Sequence, residues 1–401
     1  MTVPTDFLLP PALAELRRTV RTFVDDRILP AEDAIIDEDS AGRHDTLAAL
    51  QAEARAAGLW TPHLPVELGG LRLGPMGMCA LFREMGRSFV GARVFNCDAP
   101  DQGNMDLLAK VASPAIRERW LAPLCRGEIT SAFCMTEPAP GAGADPSNLR
   151  TTATPDGDGF VIEGHKWFST GGGLASFLVV LARTSSEPRE GATMFVVDRH
   201  AAGVEHVRDV GTMGPALLAH REAELLFHRV RVGPEAVLGG VGQGFRLAQA
   251  RLVPARLTHC MRWLGLAARA LEECRSYLQE RVSFGRPLAD HQLVQQKLAD
   301  GAVAVHSGNL MTLHCATLLE QGLDREARPY SSMCKNHVAR TLCQVLDDAI
   351  QLHGALGYSA DAPFERWYRW SRAARIADGP DEVHTVVVAR ELLAGRLELL
   401  V

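Results

Sequence analysis

The stretch GFVIEGHKWFS, residues 159–169, decides how the chain divides. It is rich in β-branched and aromatic residues and bounded by glycine. Runs of the same texture follow at 175–183 (ASFLVVLAR), 192–198 (ATMFVVD) and 223–232 (AELLFHRVRV), separated by Gly, Pro and Asp. Short apolar runs punctuated in this way predict an antiparallel sheet domain, sandwich or barrel, over about 131–240.

On either side the periodicity changes. Residues 1–130 alternate helical patterns with Gly and Pro breaks: 11–28, 46–59 and 75–89 each carry apolar residues at three- and four-residue spacing. From 241 to 401 the helical patterns are longer. Leu257, Cys260, Met261, Leu264, Ala268 and Leu271 trace one face of a helix running to Arg281, and 292–322, 331–354 and 383–400 follow. Four long helices with short links predict an up-and-down four-helix bundle. The fold class is therefore α+β, with an N-terminal helical domain, a middle antiparallel β domain and a C-terminal bundle. No βαβ alternation occurs, which argues against a doubly wound nucleotide fold.

Composition agrees with a globular chain. The 401 residues are 47% hydrophobic and 22% charged, with a net charge of −6, which argues against a general nucleic-acid binder. No apolar run approaches the ~18 residues of a membrane span. The first residues lack the basic n-region of a secretory signal. Nine cysteines are scattered without a C-x-x-C pair, so neither a disulfide scaffold nor a zinc ribbon is expected, and a cytoplasmic location is. Familiar motifs fail. Gly240–Gly244 has the wrong spacing for a dinucleotide loop and reads as a turn before a helix. In Gly159–Gly164 the phosphate-loop pattern breaks, because His165 stands where its lysine belongs. No H-E-x-x-H or G-x-S-x-G is present.

Three separated segments remain. Phe133 to Pro138, continuing through Gly141–Asp145, is either a plain Gly/Pro-rich crossing or a source of N–H groups and a Thr hydroxyl for a flat heterocycle and a phosphate. His165 to Gly171 places Trp167 beside small hydroxyl residues, either as core or as the wall of an aromatic cofactor. Arg281–Gly285 ends a helix and is answered by Gln351–Tyr358. Such an arginine is commonly solvated, but it also suits a pyrophosphate.

Together the segments resemble the acyl-CoA dehydrogenase family of flavoproteins over nearly the whole chain. The E-L-G-G…R-E-M-G-R-S stretch (67–88), T-E-P…G-A-G-A-D, K-W-F-S, R-V-S-F-G, A-D-H-Q, Q-L-H-G-A-L-G-Y and A-D-G-P-D-E-V stand in the family's order. The resemblance implies FAD, an α–β–α subunit, and a homodimer or homotetramer with FAD between subunits. It implies flavin contacts from Phe133, Met135, Thr136 and Trp167 through Ser169, with Gly143 and Ala144 near the pyrophosphate and the thioester. It implies contacts to the ADP half from Arg281, Phe284, Gln292, Gln351 and Gly354 of a neighbouring subunit. Pro380 and Glu382 join the cofactor set, Arg256 and Gly379 the substrate set, and no metal is implied.

Several positions depart from the family pattern. The flavin loop is two residues longer than T-E-P-G-A-G-S-D, and Ala144 replaces its serine. Val253 replaces an acidic residue three before Arg256. The family's common catalytic glutamate is replaced by Asp378, and the alternative base position is Ala255, which cannot serve. RIADGPDEVH (375–384) and RLTHCMR (256–262) look like a subgroup that uses this Asp as its base. Asp381 and Glu382 are the competing carboxylates, expected to be helix-start acids worth at most about 1 kcal/mol. The implied reaction is α,β-dehydrogenation of an acyl-CoA thioester to the trans-2-enoyl-CoA, with electrons passed to an electron-transfer flavoprotein in fatty acid metabolism. The alternatives are an oxidase of the same fold, acyl-CoA or nitroalkane-directed, and an inactive subunit of a hetero-oligomer.

Overall fold

The computed structural model describes residues 9–187, 191–214 and 220–399. Five longer helices open the chain: α1 (Pro11–Phe23), α2 (Glu32–Ser40), α3 (Asp45–Ala56), α4 (Pro75–Met85) and α5 (Asp101–Val111). Next come strands β1 (Ser131–Cys134), β2 (Thr152–Asp156), β3 (Gly159–Thr170), β4 (Phe177–Arg183), β5 (Ala192–Asp198), β6 (Val204–Val210) and β7 (Glu222–Val232). The C-terminal part holds α6 (Gly244–Glu280), α7 (Gln292–Glu320), α8 (Asp324–His353), α9 (Phe364–Ser371) and α10 (Asp381–Leu393). The strand pair β8 (Val282–Ser283) and β9 (Arg286–Pro287) joins α6 to α7.

The strands make one seven-stranded sheet in the order β1-β4-β2-β3-β7-β6, with β5 on β4. Most ladders are antiparallel, as the sequence predicts. β1, however, runs parallel to β4, Ser131 opposite Phe177 and Cys134 opposite Val180. The long chain between those strands permits it, since a parallel neighbour needs a crossover rather than a hairpin. β4 explains the unbroken apolar run. Phe177, Val179 and Leu181 pack toward the N-terminal helices and the start of α6, while Leu178, Val180 and Ala182 face the sheet's own interior. With side chains alternating across a strand, two buried faces demand apolar residues at every position.

A further core joins α1, α3 and α4 to α6, α7 and α8. Two glycines bring α4 against α6. A Cβ on Gly86 would lie 2.2 Å from the Arg262 carbonyl oxygen, and one on Gly265 would lie 2.0 Å from that of Arg83. The two backbones are in reciprocal contact. The largest departures from the periodicity are at two helix limits. α8 starts at Asp324, before the predicted 331, and α10 stops at Leu393, because Gly395 takes the left-handed conformation that ends helices (φ +65°).

Candidate active site

The predicted site residues fall into three groups. In the first, β1 leads into the 133–145 loop and β3 carries the second segment. The Trp167 N–H donates to the Thr136 carbonyl at 3.1 Å, joining the two. Phe133, Met135, Thr136 and Trp167 are half-buried, Ser169 is buried, and Gly143 and Ala144 are exposed. An irregularity in the β3–β7 ladder between Lys166 and Ser169 puts Phe168 at φ +47° and turns its ring outward, edge-on to Trp167.

Glu137 holds this loop in shape. Its carboxylate accepts from the main-chain N–H of Ala142 (3.0 Å), Arg150 (2.8 Å) and Thr151 (2.8 Å), and from the buried Lys166 ammonium at 2.9 Å. Burial pushes its pKa up, but Lys166 and these donors outweigh burial and bring it to about 2. The glutamate of the T-E-P motif is thus spent on its own loop.

The second group is at the far end of the bundle. Arg281 caps α6, Phe284 is 94% exposed between β8 and β9, and Gln292, Gln351 and Gly354 are exposed at the adjoining ends of α7 and α8. An open groove of about 580 Å³ beside Gln292 is lined by Arg286, Asp290 and His291. The two groups do not meet within one chain. The Arg251 guanidinium lies 4.0 Å over the Phe133 ring, so the first group touches α6 at residue 251. At 1.5 Å per residue, Arg281 lies ~45 Å further along that helix.

The third group surrounds Asp378, which sits at φ +54° just before α10. Its carbonyl oxygen accepts from Arg256 Nε (2.8 Å) and lies 3.1 Å from His384 Nε2. The next carbonyl, of Gly379, accepts from the buried Lys335 ammonium at 2.7 Å. Arg256, assigned to substrate from the sequence, is thus engaged with the Asp378 backbone. The carboxylate is left free: Oδ2 is buried with no hydrogen-bond partner and lies 3.5 Å from His259 Nε2. Burial raises the Asp378 pKa, but His259, Arg256, Arg251 and Lys335 outweigh it and hold the group below the usual carboxylate range. Burial, with Arg262 adding to it, pushes His259 down to about 4. At neutral pH the ring is therefore uncharged, and the arginines and Lys335 keep Asp378 ionised.

Asp381 corrects the expectation of a bland helix-start acid. It is buried and accepts from Arg375 Nε (2.8 Å) and Arg340 Nε (3.1 Å), anchoring the start of α10. Glu382 beside it is exposed, and Pro380 is half-buried at the helix N-cap. Ala255 is buried. Arg251, His259, Arg262, Lys335 and His384 were not singled out from the sequence. For His259 and Arg262 a signal was available, since Arg256, His259 and Arg262 recur every three residues among the apolar Leu257, Cys260, Met261 and Leu264.

The arrangement suits a cofactor with a flat ring and an anionic tail. The first group offers half-buried aromatic and hydroxyl side chains for the ring, and the second, held apart from it within one chain, an exposed arginine and the side-chain amides of Gln292 and Gln351 for the tail. Among the described residues no group of His, Cys, Asp and Glu could hold a metal ion.

This α–β–α architecture is that of the acyl-CoA dehydrogenases. The family's N-terminal, middle and C-terminal domains match residues 10–128, 132–229 and 242–393. The chain belongs to this family of oxidoreductases. It is 38% identical over 97% of both chains to the Mycobacterium tuberculosis protein described as probable acyl-CoA dehydrogenase FadE2. It is 34% identical to mouse acyl-CoA dehydrogenase family member 11, of whose length it spans 50%. A solved Mycobacterium abscessus structure assigned as an acyl-CoA dehydrogenase superposes with a TM-score of 0.91 at 38% identity, covering 96% of this chain and 99% of that one.

Proposed function

We propose that the protein is an FAD-dependent dehydrogenase of acyl-CoA thioesters, with Asp378 as the base that removes the α-proton. The observation that carries this is the unpartnered, buried Oδ2 of an ionised carboxylate. A carboxylate kept charged but left without a hydrogen-bond partner is poised to accept a proton. FAD, when bound, supplies the acceptor for the hydride that leaves the β-carbon. Thr136, Trp167 and Ser169 hold the flavin ring, and Gly143 and Ala144 border the thioester. The Asp378 N–H polarises the thioester carbonyl, and Gly379 shapes the acyl site. Substrate that displaces water from Asp378 raises its pKa and strengthens it as a base. Arg281, Phe284, Gln292, Gln351 and Gly354 serve the ADP half of a cofactor bound mainly by a second copy, with Pro380 and Glu382 nearby. The ~45 Å between the groups supports that division.

Electrons leave to an electron-transfer flavoprotein. The thiols are all unpaired and eight of the nine cysteines are buried, which supports a reducing, cytoplasmic setting. Among the described residues no helix is long and apolar enough to cross a membrane. Anaerobic titration of the purified flavoprotein with a panel of acyl-CoAs tests the proposal. Bleaching of the flavin by at least one thioester is expected, and no bleaching by any of them would overturn it. Rapid oxygen consumption without an added acceptor would make the enzyme an oxidase instead.

A further inference from the structure

The neighbours of Asp378 form an ordered chain of groups. His259 Nδ1 lies 3.0 Å from Arg262 Nη2. A guanidinium can only donate, so Nδ1 must accept, and the neutral ring carries its proton on Nε2. That nitrogen faces the unpartnered Asp378 Oδ2 at 3.5 Å. Arg262 is fixed in turn, donating to Asp98 Oδ1 (2.9 Å) and the Cys97 carbonyl (3.1 Å), while His220 Nε2 lies 2.8 Å from Asp98 Oδ2. Stacking on Trp263, 5.4 Å between ring centres, sets the plane of the imidazole.

We propose that His259 is a positioning residue for Asp378: its Nε2–H, directed by Arg262, orients the carboxylate toward the α-carbon. The inference rests on Asp378 being the base. Contacts of this kind are long in a free enzyme and shorten in the substrate complex. The imidazole transfers no proton. Asp378 takes the α-proton and becomes a neutral acid, the C–H electron pair stays with the substrate, and the His259 N–H remains in place. The other charged or titratable groups around the carboxylate are Arg251, Arg256 and the buried Cys260 thiol on α6 and Lys335 on α8, with His384 of α10 at the Asp378 carbonyl. None of these is placed by a hydrogen bond on Oδ2.

The test uses the purified flavoprotein and an acyl-CoA that bleaches it. His259→Phe keeps a flat ring on Trp263 but removes the donor; His259→Gln restores an N–H at similar reach. His259→Phe should retain flavin and bind the thioester within about threefold. Its stopped-flow flavin reduction should be roughly ten- to a hundredfold slower, the loss expected when a charged group loses one hydrogen bond. With the anion less stabilised, the acid limb of its pH–rate profile should move to higher pH. His259→Gln should recover most of the rate and return the limb. An unchanged rate and limb in His259→Phe would overturn the inference, as would a slowed enzyme that Gln does not rescue. If His259→Phe loses flavin, His259→Asn, one methylene too short to reach, replaces it under the same criteria. Asp378→Asn separates the two claims. Rapid reduction in Asp378→Asn removes the base itself, whereas an inactive Asp378→Asn beside an unaffected His259→Phe removes only the role of His259.

Discussion

At residue 378 the backbone constrains the choice of side chain. The left-handed conformation there is tolerated by Asp far more readily than by most residues, Glu included. Asp378→Glu keeps the charge but strains this turn and moves the carboxylate by about one bond. Its flavin reduction should therefore fall between wild type and Asp378→Asn, the latter slowed by roughly 10²–10⁴ as for loss of a positioned general base, measured by stopped flow. Asp381→Asn should destabilise by about 2 kcal/mol, discounted because Arg340 and Arg375 are partly open to solvent. Glu382→Gln should leave the melting temperature unchanged. Glu137→Gln should cost more, roughly 3–5 kcal/mol, because it removes the negative charge that neutralises the buried Lys166, leaving that ammonium only neutral acceptors such as the Met135 carbonyl. Glu137 also sets a pH dependence. Its folded pKa of about 2 lies below the ordinary glutamate value of 4.5, so its contribution is complete above about 4.5 and is lost as pH falls toward 2. In Glu137→Gln, acid unfolding followed by circular dichroism should lose that component. The sequence marked Asp378 by its place in a motif. It could not separate Asp381 from Glu382, since their difference lies in what α8 and the 372–375 turn bring to them.

Periodicity revealed the longer elements, while β1, β2, β6, α2, α5 and α9 were too short or too weakly patterned to stand out. Helical spacing marked the first and last parts of the chain, and the apolar run at 175–183 marked β4 as a strand, though not its burial on both faces. What periodicity cannot carry is pairing between distant strands, so the parallel β1–β4 ladder was invisible, and so was the left-handed stop at Gly395. The closeness of α4 and α6 was equally hidden, because a glycine inside a helix reads only as a weak residue until its neighbour is known. Gly265→Ala tests that contact. Its Cβ would press on the Arg83 carbonyl and force the helices apart, costing about 1–3 kcal/mol or more, read as a lower denaturation midpoint. Because His259 and Arg262 lie within two turns of Gly265 on α6, reduction should slow as well.

For the molecule as a whole, α6 sets the geometry. It carries the Phe133 contact near one end and Arg281 at the other, which supports the proposal that two chains share each cofactor site. Arg281→Ala should lower FAD occupancy and weaken the oligomer together, measured by absorbance and by sedimentation on the same sample. A monomeric Arg281→Ala protein with full flavin content would contradict the shared site. The length of that helix also has a consequence for handling the enzyme. If each flavin bridges two subunits, flavin affinity is linked to association by mass action, and each raises the apparent strength of the other. Dilution alone should then release the cofactor, excess FAD should restore the assembly, and activity per milligram should depend on enzyme concentration.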